Sequence, residues 1–375
     1  LTSYDILHFL LLSFSLRPLR LCGEKEVFNL GILGILAHFR QFNLNEGGNE
    51  MKVKLENVSL GVVLVGLIVV VMMFGITTSN VRAHEADPHP HAEGSKAEDP
   101  KASEHGSLGN VGAKLANPLS ELWSLSFDFQ PIRFFDGDAN RGDEVVGGGV
   151  TFQPVMPIPL FGEGDAEWRM ITRPVIPIQF SQPIPRGYNN FYNKGGIGDI
   201  QLPLMLSVPQ KYAGHWILGA GPVFLFPTAS DDALGSDQFG LGPAVVVGYK
   251  TKLFTAVLFP NYFWKVGSHD QGRNTPDVSQ GSLLYALTFN LPQAWQAGLN
   301  PTITYNDKAS SGNKWNVPIG VFVGKTIKVG NTPLNLKFGL EHSVVSQDDF
   351  GKRTAFRIQI TPVIPSLIKN PIFGK

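Results

Sequence analysis

The chain has 375 residues, 17% of them charged and 43% hydrophobic, with a formal net charge of zero. That balance gives no electrostatic footprint for nucleic acid, and the composition is that of a folded protein rather than a disordered one. Mean hydropathy of +0.02 excludes a bundle of membrane-spanning helices but leaves room for a β-barrel, in which only alternate residues meet lipid.

Residues 1–50 precede Met51 and read as an extension upstream of the true start. The lone cysteine, Cys22, lies there, so no intramolecular disulfide is available. Residues 51–83 have the makeup of a signal peptide. Lys52 and Lys54 give a basic start, Leu60 to Ile76 an apolar core, and Val81-Arg82-Ala83 a cleavage site after Ala83. An uncleaved anchor is the alternative, because the apolar core runs slightly longer than usual.

Residues 84–116 read as a disordered tether, polar and rich in Pro, Ala, Glu and Lys. His84, His89, His91 and His105 stand among acidic residues, and His89 and His91 with a carboxylate would suit a Zn²⁺ or Cu²⁺ ion. No fixed geometry is visible in the tether, so it is assigned no metal and the chain no cofactor.

Residues 117–364 alternate apolar and polar positions in about twelve runs, the pattern of antiparallel strands with one greasy and one wet face. Trp123, Leu125, Phe127 and Phe129 oppose Ser124, Ser126, Asp128 and Gln130. Leu283, Tyr285, Leu287 and Phe289 oppose Ser282, Thr288 and Asn290. Long polar connections at 136–144, 182–196, 227–237, 266–280, 306–314 and 346–353 alternate with short joins near 162–166, 209–213, 250–252, 292–295 and 330–333. An even strand count with short turns at one rim and long loops at the other predicts an all-β fold. The expected architecture is a transmembrane antiparallel up-and-down β-barrel of about twelve strands, with both termini in the periplasm. Trp123, Trp168, Trp216, Trp264, Trp295 and Trp315 fall near predicted strand ends, where aromatic girdles meet lipid headgroups. Prolines within the runs, among them Pro154, Pro157, Pro174, Pro177, Pro301 and Pro318, are the objection, because each lacks the N–H of a closed ladder. The strands near 145–160 and 168–180 are the least regular for this reason. Residues 365–375 form a C-terminal tail.

From Asn117 onward the chain resembles the bacterial outer-membrane family named for the meta-pathway of phenol degradation, many of whose members carry the label "neuromedin U". The resemblance rests on the order and spacing of Asn117-Pro118-Leu119-Ser120-Glu121-Leu122-Trp123, Phe135-Asp136-Gly137-Asp138, Ile171-Thr172-Arg173-Pro174, Gly196-Ile197-Gly198-Asp199-Ile200 and Trp315-Asn316-Val317-Pro318. It implies an outer-membrane, porin-like channel or transporter of a Gram-negative cell, linked by name to aromatic compounds. One departure is that the last run, Phe356 to Ile360, is followed by a tail ending Phe373-Gly374-Lys375 rather than by a terminal aromatic residue.

On the wet parity, Asp128, Arg169, Arg173, Asp199, Lys328, Lys337, Glu341 and Arg357 are expected to face the lumen. Bases outnumber acids there, which suits anionic solutes; the plainer reading is that mixed charges pair and solvate the wall. Tyr188, Phe191 and Tyr192, in the loop 182–196, form either a gate or a recognition surface. Enzymatic chemistry finds no support. His342 and Ser343 are strand neighbours and point to opposite faces, His215 lies beside a short turn, and His269-Asp270 sits in a long loop. The expected function is passive passage of small solutes, hydrophobic or aromatic ones included. A structural or adhesive barrel and a barrel enzyme are the alternatives. The expected partners are the lipid bilayer of the outer membrane, a small-molecule solute and the outer-membrane assembly machinery, with no nucleic acid.

Overall fold

The computed structural model describes residues 100–140, 143, 145–268 and 276–374. Its ladders close on themselves. The chain forms β1 (Ser124–Asp136), β2 (Val145–Phe161), β3 (Trp168–Thr172 and Ile176–Gly187), β4 (Asn190–Ile197 and Ile200–Ser207), β5 (Trp216–Phe226) and β6 (Gln238–Lys250). There follow β7 (Phe254–Ser268), β8 (Ser279–Asn290), β9 (Trp295–Leu299 and Thr302–Asn306), β10 (Trp315–Val329), β11 (Thr332–Val345) and β12 (Gly351–Pro362). Each strand pairs antiparallel with the next, and β12 pairs back onto β1 from Phe127↔Ile360 to Asp136↔Gly351. The fold is a closed twelve-strand antiparallel barrel of the up-and-down type. No helix among the described residues is long and apolar enough to cross a membrane.

Alternation sorts the side chains as the pleat requires. On β6, Gln238, Gly240, Ala244, Val246 and Gly248 face inward and are buried, whereas Phe239, Leu241, Val245 and Val247 are exposed on the outside. The same outward set continues through Leu258, Ile319, Val321, Val323 and Phe356, giving a belt of exposed large apolar residues. A patch that extensive is foreign to a water-soluble surface. Trp216 stands at the short-turn rim of the belt, and Trp264 and Trp315 stand at the long-loop rim, each about half exposed. Trp123 departs from the expected girdle: it is buried, and its indole N–H donates to the Pro157 carbonyl at 3.1 Å.

That bond is one of several ways in which the prolines are accommodated. Pro174 and Pro301 lie in gaps that split β3 and β9, so neither has to donate to a ladder. Backbone bonds from Arg173 to Pro203 O and from Tyr285 to Pro301 O stitch the gaps, as does the Val175↔Gln201 bridge. Pro318 sits at a register shift, and its carbonyl takes the Tyr285 hydroxyl at 2.6 Å. β2 runs past the start of β1, and its free edge is covered by the tail, in which Ile372 N–H meets Pro159 O and Phe373 N–H meets Leu160 O. Every one of these devices supplies a donor to a carbonyl or removes the need for one.

Two expectations need correction. The long loop at 182–196 is instead a β-hairpin, with β3 and β4 paired from Ile178↔Ile197 up to Gly187↔Asn190. Its sequence reads as a loop because Pro183, Pro185 and three glycines break the alternation. The tether read as disordered ends in a helix, α1 (Pro100–Leu115), which packs against the 292–294 turn, β10 and β11 at the short-turn rim. Gly106, Gly109 and Gly112 hide that helix from a propensity reading, yet Gly112 is what lets it dock. A Cβ there would stand 2.6 Å from Thr326 Oγ1. Residues 1–99, with the expected signal peptide and most of the expected tether, lie outside the described residues.

Candidate functional site: a half-filled lumen

The interior is divided lengthwise. Inward residues on β3 to β7 are mainly apolar, and Ile171, Met205, Ile217, Val223, Leu225, Val246, Phe259 and Phe263 pack on one another into a core with Leu119 from the segment before β1. The rest of the lumen, walled by the arc from β8 round to β2 with Arg173 and Val175 from the gap in β3 and Val257 from β7, holds a cavity of about 730 Å³. That size falls within the range of small-molecule sites. The cavity is lined by Leu115 to Pro118 and Ser120 towards the short-turn rim and by Asn306, Asn313, Gln347 and Phe350 towards the long-loop rim.

Of the residues expected to face the lumen, Asp128, Arg173, Lys337, Glu341 and Arg357 line this cavity. Arg169 points inward lower down, where it pairs with Glu167 and reaches Glu121 at 3.4 Å. Asp199 instead braces the loop after β5, accepting from Ala229 N–H at 3.2 Å, Ser236 N–H at 2.6 Å and Ser236 Oγ at 2.7 Å. It occupies the gap in β4, where the backbone leaves the ladder and the parity ceases to apply. Lys328 is exposed at the short-turn rim, beyond the enclosed part of the barrel.

The charges fall into two groups. Arg357 binds Asp128 through Nε at 3.3 Å and Nη2 at 2.5 Å, and reaches Glu341 with Nη1 at 3.2 Å. Lys352 completes the chain on Glu341 at 2.6 Å, so two acids meet two bases and the network is neutral. Arg133, Arg173 and Lys337 stand outside it. Arg133 donates to Gln179, with its Nε buried and unpartnered. Arg173 donates to Gln153 at 2.8 Å. Lys337 lies 4.6 Å over the Phe322 ring and, among the described residues, has no carboxylate within ion-pair distance. The cavity wall thus carries five cations against two carboxylates, an excess of three positive charges.

Arg133 and Lys352 were not legible as lumen residues. Register shifts between Phe129 and Ile132, and between Phe134 and Phe135, reverse the parity along β1 and its partner. Pro131 inside β1 was the available signal for the first of them.

Both mouths are narrowed. At the long-loop rim Phe135 and Phe350 stack at 5.3 Å, and Phe191, from the β3–β4 hairpin, packs on Phe350 at 5.1 Å. Of the other two predicted gate residues, Tyr192 lies under the Arg186 guanidinium at 4.0 Å and Tyr188 is exposed at the hairpin tip. At the other rim Leu119 anchors the segment after α1 in the apolar core, while Glu121 is held by Lys114 and Arg169. Burial pushes the Glu121 carboxyl up, but Lys114, Arg169 and Lys250 outweigh it and hold it below the ordinary glutamate value.

Among the described residues the candidate nucleophile and bases do not come together. Ser343 Oγ is fully buried and donates to Asn316 at 3.2 Å, whereas His342 is exposed on the outer face against Thr354. His215 Nδ1 lies 3.2 Å from the Lys250 carbonyl. His269 and Asp270 lie outside the described residues. Among the described residues no cluster of His, Cys, Asp or Glu has the makeup of a metal site.

Fold and site together define a class: closed β-barrels with an apolar outer belt and a charged cavity in the lumen. No family model matches the chain, and no curated protein matches it in sequence. Among solved structures it is similar to an outer membrane channel from Pseudomonas putida F1, with 13% identity and a TM-score of 0.49, over 66% of this chain and 97% of that one. It is also similar to the NanC porin, with 10% identity and a TM-score of 0.39, over 64% of this chain and 99% of the porin.

Proposed function

We propose that the protein is a passive channel for small solutes in the bacterial outer membrane, inserted with its apolar belt in lipid by the outer-membrane assembly machinery. The observation that carries this reading is the lengthwise cavity of about 730 Å³ inside a closed barrel whose outer face is apolar. A structural barrel has no need of buried charge facing a void, because each ionisable group held at membrane depth is costly to desolvate. The aromatic cluster of Phe135, Phe191 and Phe350 constricts one mouth and the Leu115–Ser120 segment the other, so the resting pore is narrow. The sequence resemblance to the phenol meta-pathway family supports solutes with apolar or aromatic bodies. Solute would move down its gradient, with Asn300, Thr302, Thr304 and the lumen charges replacing part of its hydration shell.

The test is single-channel recording of residues 84–375 refolded into planar bilayers. Discrete, reproducible conductance steps are expected. A heat-modifiable barrel that inserts and stays silent across the voltage range sinks the reading.

A further inference from the structure

We propose that the lumen contains a binding site for a small amphipathic carboxylate, its anionic end held between Lys337 and Arg173 and its apolar body laid on Val257, Leu284 and Ala286. The inference rests on the lumen reading above and names the class of solute that the cavity retains.

The anionic end follows from the charge pattern. The neutral network of Asp128, Arg357, Glu341 and Lys352 consumes every carboxylate on the cavity wall. Three cations are left facing the void, and none of them has an ion-pair partner among the described residues. Lys337 is only 8% exposed, so bulk water replaces little of its missing partner. A buried ammonium without a counter-charge is unfavourable, and an anion entering the cavity relieves it.

Strand register brings the cations to one side. Lys337 is opposite Gln359, Gln359 is opposite Asp128, and Asp128 is opposite Thr151, in one row across four neighbouring strands. Gln153, two residues along β2 from Thr151, takes the Arg173 hydrogen bond, so the guanidinium reaches into the same stretch of the cavity. Gly324, opposite Lys337, keeps that stretch open; a Cβ there would stand 2.7 Å from Lys337 Cγ.

The apolar body follows from the facing wall. Val155, Val257, Leu284 and Ala286 line the cavity where it borders the packed half of the lumen. A solute with charge at one end and hydrocarbon at the other meets matching chemistry on both walls. A polar polyanion leaves the second wall unused, and a neutral hydrocarbon leaves the cations unpaired.

The test uses the purified full barrel in detergent, titrated calorimetrically with hexanoate, acetate, hexanol and hexylammonium. Saturable hexanoate binding is expected, with acetate weaker and neither hexanol nor hexylammonium competing. Lys337→Met and Arg173→Gln should each weaken hexanoate by about tenfold or more, and Lys337→Arg should retain binding. Heat-modifiable mobility on a gel verifies that each variant is folded, and Lys337→Arg serves as the readout if Lys337→Met is not. Equal hexanoate affinity in wild type and a folded Lys337→Met overturns the site. Acetate binding as tightly as hexanoate overturns the amphipathic class. A barrel that conducts yet never saturates with hexanoate sinks this inference and leaves the channel reading standing. A barrel that binds hexanoate yet never conducts does the reverse.

Discussion

Arg357 on the last strand grips Asp128 on the first with two nitrogens, at 2.5 and 3.3 Å, across the seam where the barrel closes. The pair adds a side-chain bond to the β1–β12 ladder at mid-height and leaves both partners largely buried. Removing one partner of such a pair exposes the other to an uncompensated, poorly solvated site. Arg357→Met strands Asp128 and leaves Glu341 with Lys352 alone. It should destabilise the barrel by about 3–5 kcal/mol. The measurement is the urea midpoint of the folded band on a semi-native gel; an unchanged midpoint would show that lumen water already solvates the two acids.

The docking of α1 depends on Gly112, since a Cβ there collides with Thr326 Oγ1. Gly112→Val should release the helix from the wall without unfolding the barrel. Limited trypsin digestion is the readout: cleavage after Lys114 accelerates in the variant, while the barrel fragment stays heat-modifiable.

Glu121 ties the same segment to Lys114 and Arg169. Its folded pKa lies below the ordinary value of 4.5, so its contribution is complete above that value and is lost as pH falls through the folded one. Protection of residues 106–121 against hydrogen exchange should therefore fall on acidification below the ordinary glutamate range. Glu121→Gln should be weakly protected throughout and insensitive to pH over that window. A pH response in the variant equal to the wild type would assign the effect to another group.

Phe350 is the middle ring of the three that narrow the long-loop mouth. Phe350→Ala should widen the constriction and raise single-channel conductance roughly twofold, as expected for removal of a hydrophobic choke. Unaltered conductance would place the narrowest point at the Leu115–Ser120 end instead.

How far the sequence could be read depended on whether the two faces of a strand differ in polarity. On β8 and β12 they do, and Ser282, Thr288, Arg357 and Gln359 could be assigned to the interior by parity. On β5 and β6 both faces are apolar or small, because Ile217, Val223, Leu225 and Val246 pack inward into the filled half of the lumen. No parity argument separates those residues from Leu218, Phe224 and Val245 on the lipid side. Bulges defeated parity in a different way. The shift after Phe129 turned Arg133 inward, and a gap in the ladder took Asp199 out of the pattern altogether. The candidate site was legible in its acids and in Arg173, Lys337 and Arg357, whereas its aromatic mouth, built by Phe135 at the end of β1 and Phe350 from the loop before β12, carries no local signature.

Both ends of the barrel chain leave from one rim, where Ser124 bridges Val363. An antiparallel pair pulled from adjacent ends is peeled, with each rung bearing the whole load in turn, rather than sheared with all rungs loaded together. Under tension the barrel should therefore open along β1–β12 at forces well below those needed to slide any other pair of strands. The first bonds to part would be those of Ile372 and Phe373 to Pro159 and Leu160, because the tail lies ahead of the seam on the loaded path. In mechanical terms those two tail bonds are the latch of the cylinder.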